Sequence, residues 1–540
     1  MVAVAPTEDG GGRLLRLCDD GTADGDERHV ADLVRAADAV ERVESPRWLW
    51  ASTATMYPRL LRAGVRVGRC HDVELTEALL LGYEGRYGEP RALPAIWARL
   101  RGLPVPPDPP APDAAPRDQD ALFDDLPDAA ALADPLGALV EAYADQVARI
   151  AAVEHPGRFR LLVAAESAGA LVAAEMGHHG LPWRADVHDE LLRELLGEPS
   201  RLAGAPPRRL VELVERIRAA FGGARVHPES PADLLRAFSR EGIVLPSTRA
   251  WVLRGVDHPA VPLILEFKEL HRLWTAHGWS WREQWVRDGR FNPEYVAGGV
   301  VSGRWATRGG GALQIPKVVR RAVVADEGWT LVVADAAQLE PRVLAAVAGD
   351  AGLATAAATG DLYAALAADA FGGDRARAKV ALLGAMYGQT GGAAVPALAV
   401  LQARFPTAWQ YVERAARTGE SGGLVRSWLG RTCPASDQRL SGERARARGR
   451  FTRNFVIQAT AAEWALILLA GVRSRLAGTP ARLVFFQHDE VLVHAPVGAA
   501  DEVADAVRAA GEEAGRLLFG HSTVRFPLDV SVVRCYADAA

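Results

Sequence analysis

The sequence predicts an α+β protein with more than one domain. Its 540 residues exceed what a single compact core usually holds. A stretch rich in proline, alanine and aspartate over residues 101–130 is typical of a linker. After it, helical periodicity dominates residues 130–285, and from residue 286 helices alternate with β-like runs. These observations predict a small domain over 1–100 and a large one over 131–540.

Composition limits the class of protein and its partners. The chain is 49% hydrophobic and 24% charged, as in ordinary globular proteins, and its amino terminus lacks the pattern of a secretory signal. No apolar run is long enough to span a bilayer, so we expect no membrane partner. The four cysteines are scattered without a C-x-x-C pair, which argues against a structural zinc site or disulfide framework and fits a cytoplasmic location.

Charge distribution is more informative than the formal net charge of −5. Residues 431–454 are dense in arginine, and this segment is either a solvated face or a strip that binds phosphates. Only three of the 62 basic residues are lysines. A lysine kept against this bias, such as Lys379, is therefore a candidate for a chemical role.

Local patterns predict individual elements on both sides of the linker. In the amino-terminal region, apolar runs at 13–18 and 47–52 predict strands, and a periodic stretch over 26–40 predicts a helix. These elements predict a small α/β domain. In the large region, the clearest helical pattern covers residues 258–274.

Two predicted strands each end beside a carboxylate. "GWTLVVADA" (328–336) contains Asp335, and "ARLVFFQ" (481–487) is followed by Asp489. Mg²⁺ prefers oxygen ligands and is usually held by one or two carboxylates plus substrate phosphates, so this pair could hold metal for phosphoryl transfer. For the second stretch a charged hairpin turn is the alternative, because Asp is common in turns.

A helical stretch combines basic and apolar residues at four-residue intervals. "RARAKVALLGAMYGQ" (375–389) spaces Arg375, Lys379, Leu383 and Tyr387 in this way. Because residues four apart share a helix face, the arginine and the lysine could grip a triphosphate together. The alternative is an amphipathic helix with a solvated basic edge.

A second helical stretch repeats this spacing with polar residues. "RFTRNFVIQATAAEWALILLAGV" (450–472) presents Arg450, Asn454 and Gln458 on one face. Asn and Gln can donate to the minor-groove acceptors that every base pair offers in nearly the same place. The alternative is a helix whose amino-terminal half faces water.

These segments resemble the motifs of family A DNA polymerases, the DNA polymerase I type, in the family's order. "DAAQLEPRVLA" (335–345) is similar to D-Y-S-Q-I-E-L-R, and the arginine–lysine helix to R-x-x-x-K-x-x-x-F-x-x-x-Y-G. "RNFVIQATAAE" (453–463) resembles N-x-x-x-Q-G-T-A-A-D, and "QHDEV" (487–491) resembles the H-D-E hairpin. "SGRWATRGGGALQIP" (302–316) is similar to T-G-R-L-S-S followed by N-L-Q-N-I-P. The resemblance covers residues 160–540.

The resemblance implies a right-hand polymerase, with a palm built on an antiparallel sheet and with helical fingers and thumb. It puts the thumb at about 190–285, the fingers at about 350–430 and the palm in the remainder. It implies a DNA-directed DNA polymerase of replication or repair that adds dNTPs to a primer 3′-hydroxyl. The implied cofactor is a pair of Mg²⁺ ions, the partner is primer–template DNA, and the chain is a monomer.

The resemblance also implies roles for individual residues. Asp335 and Asp489 match the carboxylates that hold both metals, and Glu490 matches a supporting acid. Lys379 matches an acid toward the pyrophosphate leaving group. The remaining nucleotide-binding positions are Arg375, Leu383, Tyr387 under the templating position, Glu340 as the gate against a ribose 2′-hydroxyl, Gln338 and His488. The DNA-binding positions are Arg304, Gln314, Arg342, Arg450, Asn454 and Gln458.

The sequence departs from the family pattern at several positions. Leu383 stands where the family has Phe or Tyr, which leaves open how the sugar and dideoxynucleotides are discriminated. Ala336 and Ala337 replace Tyr and Ser. The stretch after Tyr387 is shorter than usual, which predicts trimmed fingers. No departure removes a metal ligand.

Residues 60–83 resemble part of the family's 3′–5′ exonuclease domain, which implies a ribonuclease-H-like α/β fold. That chemistry needs a D-x-E pair at a strand end, and the run at 13–18 offers none, so Asp72 is the only remnant. We expect the fold without the proofreading chemistry, and a separate 5′ nuclease for flap removal. A bifunctional polymerase–exonuclease and a non-catalytic DNA-binding relic are the alternatives.

Overall fold

The computed structural model describes residues 1–110, 132–200, 202, 204–388, 394–436 and 440–539. The chain forms two compact units. The first unit contains Met1–His179, Pro293–Gly309 and Val332–Val532, and the second contains Gly180–Asn292, Gly310–Leu331 and Val533–Ala540. Most of the predicted linker lies outside the described residues.

The amino-terminal region is a five-stranded sheet with helices. Its elements are β1 Val2–Pro6, β2 Gly12–Arg16, β3 Arg28–Val30, α1 Leu33–Glu44, β4 Arg47–Trp50, α2 Thr53–Arg62, β5 Arg69–Asp72, α3 Val73–Tyr83 and α4 Leu93–Leu100. The strand order is β3-β2-β1-β4-β5, in which β1, β2 and β3 pair antiparallel while β4 pairs parallel with β1 and β5. The predicted α/β character is confirmed, and the kinship with an exonuclease stays a prediction.

Two details of this region differ from the sequence-based expectation. Strand β1 was not predicted, yet it lies at the centre of the sheet and buries alternate residues on opposite faces in two separate apolar clusters. The predicted helix over 26–40 begins only at Leu33. Arg28–Val30 pair with β2 instead, and Asp32 caps the helix by accepting a bond from the backbone N–H of Arg35 at 3.0 Å.

Two helices, α5 Pro135–Ala152 and α6 Pro156–His179, follow the linker in the first unit. Helix α6 is buried along most of its length. Its Leu171 packs into the apolar cluster of the amino-terminal sheet, and its Gly169 faces Leu466 at a distance that leaves little space for a larger residue. The helix therefore connects the amino-terminal region to the remainder of the unit.

The second unit is mainly helical. Its elements are β6 Leu181–Pro182, α7 Ala185–Leu196, α8 Arg208–Ala220, α9 Pro231–Arg240, α10 Ala250–Leu253, α11 Ala260–His277, α12 Trp279–Trp285, β7 Val286–Arg287, β8 Arg290–Phe291 and two 3₁₀ helices, Ala312–Gln314 and Lys317–Ala322. The helix predicted over 258–274 is confirmed as α11. The predicted thumb, 190–285, falls in this unit, and its assignment stays a prediction.

The carboxyl-terminal part of the first unit combines a four-stranded sheet with helices. Its elements are β9 Tyr295–Val296, β10 Ala306–Thr307, β11 Trp329–Ala336, α13 Leu339–Ala348, α14 Ala351–Ala357, α15 Leu362–Ala370, α16 Arg375–Tyr387, α17 Ala394–Arg404, α18 Pro406–Glu420, β12 Val425–Arg426, β13 Thr432–Cys433, α19 Gly442–Arg475, β14 Arg482–Gln487, β15 Glu490–Pro496, α20 Ala500–Phe519 and β16 Leu528–Val533. Two short 3₁₀ helices complete the elements, Val497–Ala499 in this unit and Tyr536–Asp538 in the second unit. The sheet order is β14-β15-β11-β16. The α+β class is thereby confirmed.

Helix α19 runs through the core of the first unit. It is the one described helix that is long and apolar enough to cross a membrane, but 83% of its most apolar window is buried inside the chain. Trp464, Leu468 and Leu469 in this window are completely buried. The apolar stretch is therefore accounted for by core packing.

Candidate active site

The sheet brings the two predicted metal ligands to adjacent strands. Asp335 is exposed near the end of β11, and Asp489 lies in the turn between β14 and β15, the strand next to β11. The backbone N–H of Ala336 donates to the Asp489 carbonyl at 3.2 Å, which holds the turn against the strand end. The two strands predicted from sequence, β11 and β14, therefore lie in one sheet with β15 between them.

The turn itself has an unusual backbone. Gln487 pairs with Glu490, so that His488 and Asp489 alone connect the two strands. His488 has a φ of 61°, in the left-handed region that non-glycine residues rarely adopt. A strained residue in a two-residue hairpin aims the neighbouring Asp489 at a defined position. The stretch is thus a hairpin turn, as the alternative interpretation states, and this turn also presents the Asp489 carboxylate, as the metal-site interpretation requires.

The charges of the two aspartates oppose each other. Burial and the nearby charge of Asp335 raise the pKa of Asp489 to about 7. A divalent cation between the carboxylates would remove this repulsion, and two carboxylates suffice for Mg²⁺ when substrate phosphates complete its coordination. No group of three or more His, Cys, Asp or Glu residues that could hold a metal occurs among the described residues. The donor set therefore fits a hard cation that the substrate helps to bind.

Glu340 connects three of the sequence motifs. It lies in the first turn of α13, and one of its oxygens accepts a hydrogen bond from Arg304. The other accepts from the Tyr387 hydroxyl at 2.6 Å, at the end of α16. Burial, and after it the hydrogen bond to Glu340, raise the pKa of Tyr387. These contacts fix the Glu340 carboxylate beside the segment that carries Asp335.

Helix α16 presents the expected face. Arg375 and Lys379 are exposed, whereas Leu383 and Tyr387 are half-buried against the core of the unit. The amino-terminal half of this helix face, with the two cations, is therefore exposed to solvent, and its carboxyl-terminal half packs against the core. A triphosphate could reach the first pair without any rearrangement of the core.

Arg375 and Gln338 also have a partner that the motifs did not include. Arg375 donates through Nε to an oxygen of Asp361 at 2.8 Å, and Gln338 donates to the other oxygen at 2.9 Å. The Tyr363 ring lies 5.5 Å from the Arg375 guanidinium and 5.9 Å from Lys379 Nζ. The one signal in the sequence was the aspartate directly before an apolar helical run, which indicates a helix cap but no role at a site.

The face of α19 that was predicted to bind DNA is accessible. Arg450 is exposed, and Asn454 and Gln458 are half-buried one and two turns further along the helix. The Oδ1 atom of Asn454 is buried without a hydrogen-bond partner among the described residues. Buried polar atoms without a partner are rare in native folds. Gln314 is exposed in the second unit.

The prediction that Arg342 binds DNA is wrong. Its side chain is completely buried. Its guanidinium donates to backbone carbonyls of five residues, at distances from 2.5 to 3.1 Å: Ala337, Ala357, Thr359, Gly360 and Arg525. With its donors used in this way, Arg342 stabilises the loop that follows α14 and cannot contact a nucleic acid.

Asp72 in the amino-terminal region is used as a helix cap. It is buried, and its carboxylate accepts bonds from the backbone N–H groups of Thr53 at 2.7 Å and Leu75 at 2.9 Å, at the first turns of α2 and α3. Burial raises its pKa. Strand β1, which is separated from β5 by β4, has the sequence VAVAP and supplies no carboxylate. The loss of the proofreading ligands stays a prediction.

Comparison with known proteins gives the following matches. Residues 205–537 match the model of the family described as DNA polymerase family A. DNA polymerase I of Chloroflexus aurantiacus is 32% identical over 250 residues, which are 41% of this chain and 26% of that protein. The thermostable DNA polymerase I of Thermus thermophilus is 30% identical over 299 residues, which are 50% of this chain and 36% of that protein. In these matches the chain thus spans well under half the length of the curated relatives.

A solved structure has a similar fold. The POL domain of Pol1 from M. smegmatis, in complex with DNA primer-template and dNTP, superposes with a TM-score of 0.72. The superposition covers all of this chain and 95% of that one, at 20% sequence identity. At this identity the likeness establishes the architecture, and the role of each residue has to be argued from the site.

Proposed function

Because this chain belongs to DNA polymerase family A, we propose that it is a template-directed DNA polymerase that adds dNTPs to a primer 3′-hydroxyl. One observation carries the proposal. The strand that ends at Asp335 leads into the turn of Glu340, and Glu340 is bonded to Tyr387 at the end of the helix that carries Arg375 and Lys379. Candidate metal ligands and candidate triphosphate ligands thus belong to one connected site.

The chain's own residues bind and orient the reactants. Members of the family depend on metal, and we propose two Mg²⁺ ions held by Asp335 and Asp489. When bound, such ions activate the attacking hydroxyl and neutralise charge on the phosphoryl group. Arg375 binds the triphosphate as a fork and Lys379 as a point charge, and Lys379 donates a proton to the departing pyrophosphate.

Other residues select the sugar and hold the duplex. Glu340 excludes a ribose 2′-hydroxyl, Tyr387 lies under the templating position, and Glu490 and His488 support Asp489 in the hairpin. The residues proposed to line the minor groove of primer–template DNA are Arg304, Gln314, Arg450, Asn454 and Gln458. They carry donors that suit acceptors common to all base pairs.

Several properties of the whole protein remain part of the same proposal. The thumb covers about 190–285 and the fingers about 350–430, and the palm is built on the β14-β15-β11-β16 sheet. The amino-terminal sheet is a degenerate exonuclease-like domain. The protein acts as a monomer in a bacterial cytoplasm, and a separate 5′ nuclease removes flaps.

A primer-extension assay tests the function. We expect a labelled primer on a longer template to be extended to full length with Mg²⁺ and four dNTPs. Extension should stop when dNTPs are omitted or when EDTA removes the metal, and the added nucleotides should follow the template. An enzyme preparation that binds the primer–template but never extends it would favour the non-catalytic alternative.

Sugar selection gives a prediction for Glu340 and Leu383. Glu340→Ala should raise the use of rNTPs relative to dNTPs by about 10- to 100-fold, because it opens the space for one extra hydroxyl. Leu383→Phe should change dideoxynucleotide use with the same metal requirement, since a flat aromatic ring packs differently against the sugar. Single-nucleotide incorporation measures both ratios.

A matched control for this prediction is Glu443→Ala, which removes an exposed acid from the first turn of α19. It should leave the rNTP/dNTP ratio at the wild-type value. An unchanged ratio in Glu340→Ala as well would show that another residue excludes the 2′-hydroxyl.

The absence of proofreading is a further prediction. A mismatched primer 3′ end should persist during incubation with Mg²⁺ when dNTPs are withheld, because Asp72 is committed to two backbone N–H groups and β1 supplies no second acid. Denaturing gels follow the primer length. Steady shortening that is lost in Asp72→Asn, a variant that retains a capping oxygen, would instead indicate a working exonuclease.

A further inference from the structure

Asp361 has contacts that suit a role at the nucleotide site. It caps helix α15 by accepting a bond from the backbone N–H of Ala364 at 3.1 Å, and the same oxygen accepts from Gln338. Its other oxygen accepts only from Nε of Arg375 among the described residues. Burial alone would raise the pKa of Asp361, but the bonds from Arg375 and Gln338 hold it at about 2, so the carboxylate is charged at neutral pH.

The position of Asp361 is fixed from two sides. Arg342 donates to the carbonyls of Thr359 at 3.1 Å and Gly360 at 2.5 Å, in the loop directly before Asp361. Gln338 accepts from the backbone N–H of Leu362 at 2.9 Å, directly after it. The carboxylate is therefore held in place by the segment that follows Asp335, independently of α16.

The bond to Asp361 leaves most of the Arg375 guanidinium available. It uses Nε alone, and no described residue accepts a bond from the two Nη groups, which together carry four donors. The Tyr363 ring lies within cation–π distance of both Arg375 and Lys379. Asp361 thus holds the Nε edge of the Arg375 guanidinium and the Tyr363 ring lies against its face, while the edge with the two Nη groups faces no acceptor among the described residues.

We propose that Asp361 is a positioning residue that orients Arg375, so that both Nη groups meet the triphosphate of the incoming nucleotide. This inference rests on the proposed polymerase function and adds to it a residue outside the motifs. A guanidinium that is already oriented loses less rotamer freedom on binding a phosphate. The orientation of Arg375 therefore increases the affinity for the nucleotide and does not affect the binding of metals or DNA.

Steady-state single-nucleotide incorporation by Asp361→Asn tests the inference. Asn retains an oxygen for the helix cap and for Gln338, but it has no second acceptor for Arg375. We expect the KM for dNTP to rise by about tenfold, the loss typical of a charge-assisted hydrogen bond, while kcat changes by less than about threefold. Binding of primer–template DNA and the melting temperature should stay at the wild-type values.

Two further variants separate positioning from a general effect. Asp374→Asn changes the cap of α16, one residue before Arg375, and it should leave the KM unchanged, because Asp374 accepts from the backbone N–H of Arg377 and Asn can do the same. In an Arg375→Met background, Asp361→Asn should cause no additional rise in KM, since the two residues act as one unit.

The outcomes distinguish this inference from the proposed function. If the wild type extends primers but Asp361→Asn leaves the KM unchanged, or if its effect persists in full in the Arg375→Met background, the positioning role is overturned and the polymerase function stands. If the wild type does not extend primers at all, both are overturned.

Discussion

Asn in place of Asp335 or Asp489 is expected to lower the rate of primer extension by about 10³-fold or more. Each substitution removes a negative charge from a site where bound metal supplies several kcal/mol of transition-state stabilisation, and each 1.36 kcal/mol corresponds to a tenfold change in rate. No third carboxylate, histidine or cysteine forms a metal-capable group with them among the described residues. The fold should be retained, because both side chains lie at strand ends and outside the core.

Rapid-quench measurements on a pre-bound primer–template give the rate of the chemical step. The dissociation constant for DNA, measured separately, should change little, because we propose that the polar face of α19 binds the duplex. Asp505→Asn is a suitable control, since the one ion pair of this exposed acid within the described part of the chain is with Arg508 at the surface. Extension by either site variant at close to the wild-type rate would place the metal site elsewhere.

Much of this site was predictable because its signals are local. The helices α16 and α19 each have a periodic pattern within about 20 residues, and side chains at such intervals share a face in any helix. The hairpin after β14 is marked by ionisable residues between two apolar runs. The spacing of Arg450, Asn454 and Gln458 therefore predicts their common face without knowledge of the tertiary structure. The same holds for Arg375 and Lys379.

Other features depend on packing, which a local pattern does not contain. Arg342 occurs in the same motif as Asp335, yet it is buried against carbonyls that lie as far along the chain as Arg525. Asp361 becomes a partner of Arg375 because α15, which it caps, packs against α16. Strand β3 has three residues, and its pairing with β2 outweighs a helical pattern. In each case the decisive contacts connect residues distant in sequence.

A second large effect is expected at a buried cluster of charged side chains that includes none of the candidate active-site residues. Glu175 on α6 accepts from Arg473 on α19 at 2.7 Å and from Arg66 at 3.0 Å, and it also accepts from the Tyr57 hydroxyl at 2.6 Å. Arg473 additionally donates to the backbone carbonyl of Gly68 at 2.6 Å. The cluster thus joins the amino-terminal α/β region to two core helices of the first unit. The amino-terminal region therefore contributes contacts on which the core of the unit depends.

Glu175→Gln should lower the free energy of unfolding by about 3–5 kcal/mol at neutral pH. The substitution leaves the Arg473 guanidinium buried without its counter-charge, which is the costly way to disrupt an ion pair. Replacing both residues by apolar ones, as in Glu175→Leu with Arg473→Met, should cost less than the single change, because no buried charge remains. Urea unfolding followed by circular dichroism at constant salt measures these differences. Glu513→Gln is the matched control, because Glu513 pairs with Arg475, which lies two residues after Arg473 on α19. This pair is more exposed than the pair of Glu175 and Arg473, so its loss should cost less than about 1 kcal/mol.

The stabilisation by Glu175 should also depend on pH. Burial alone would raise the pKa of Glu175, but Arg473 and Arg66 outweigh it and hold the pKa at about 2, below the ordinary value of 4.5. Between these values the folded chain keeps the carboxylate charged while the unfolded chain protonates it, so the stabilisation is complete above about pH 5 and is lost as the pH falls toward 2. The difference in stability between the wild type and Glu175→Gln should therefore shrink when unfolding is measured at pH 4 and pH 3. A difference that stays constant over this range would show that Glu175 stabilises the fold through packing and hydrogen bonds, with its charge contributing nothing.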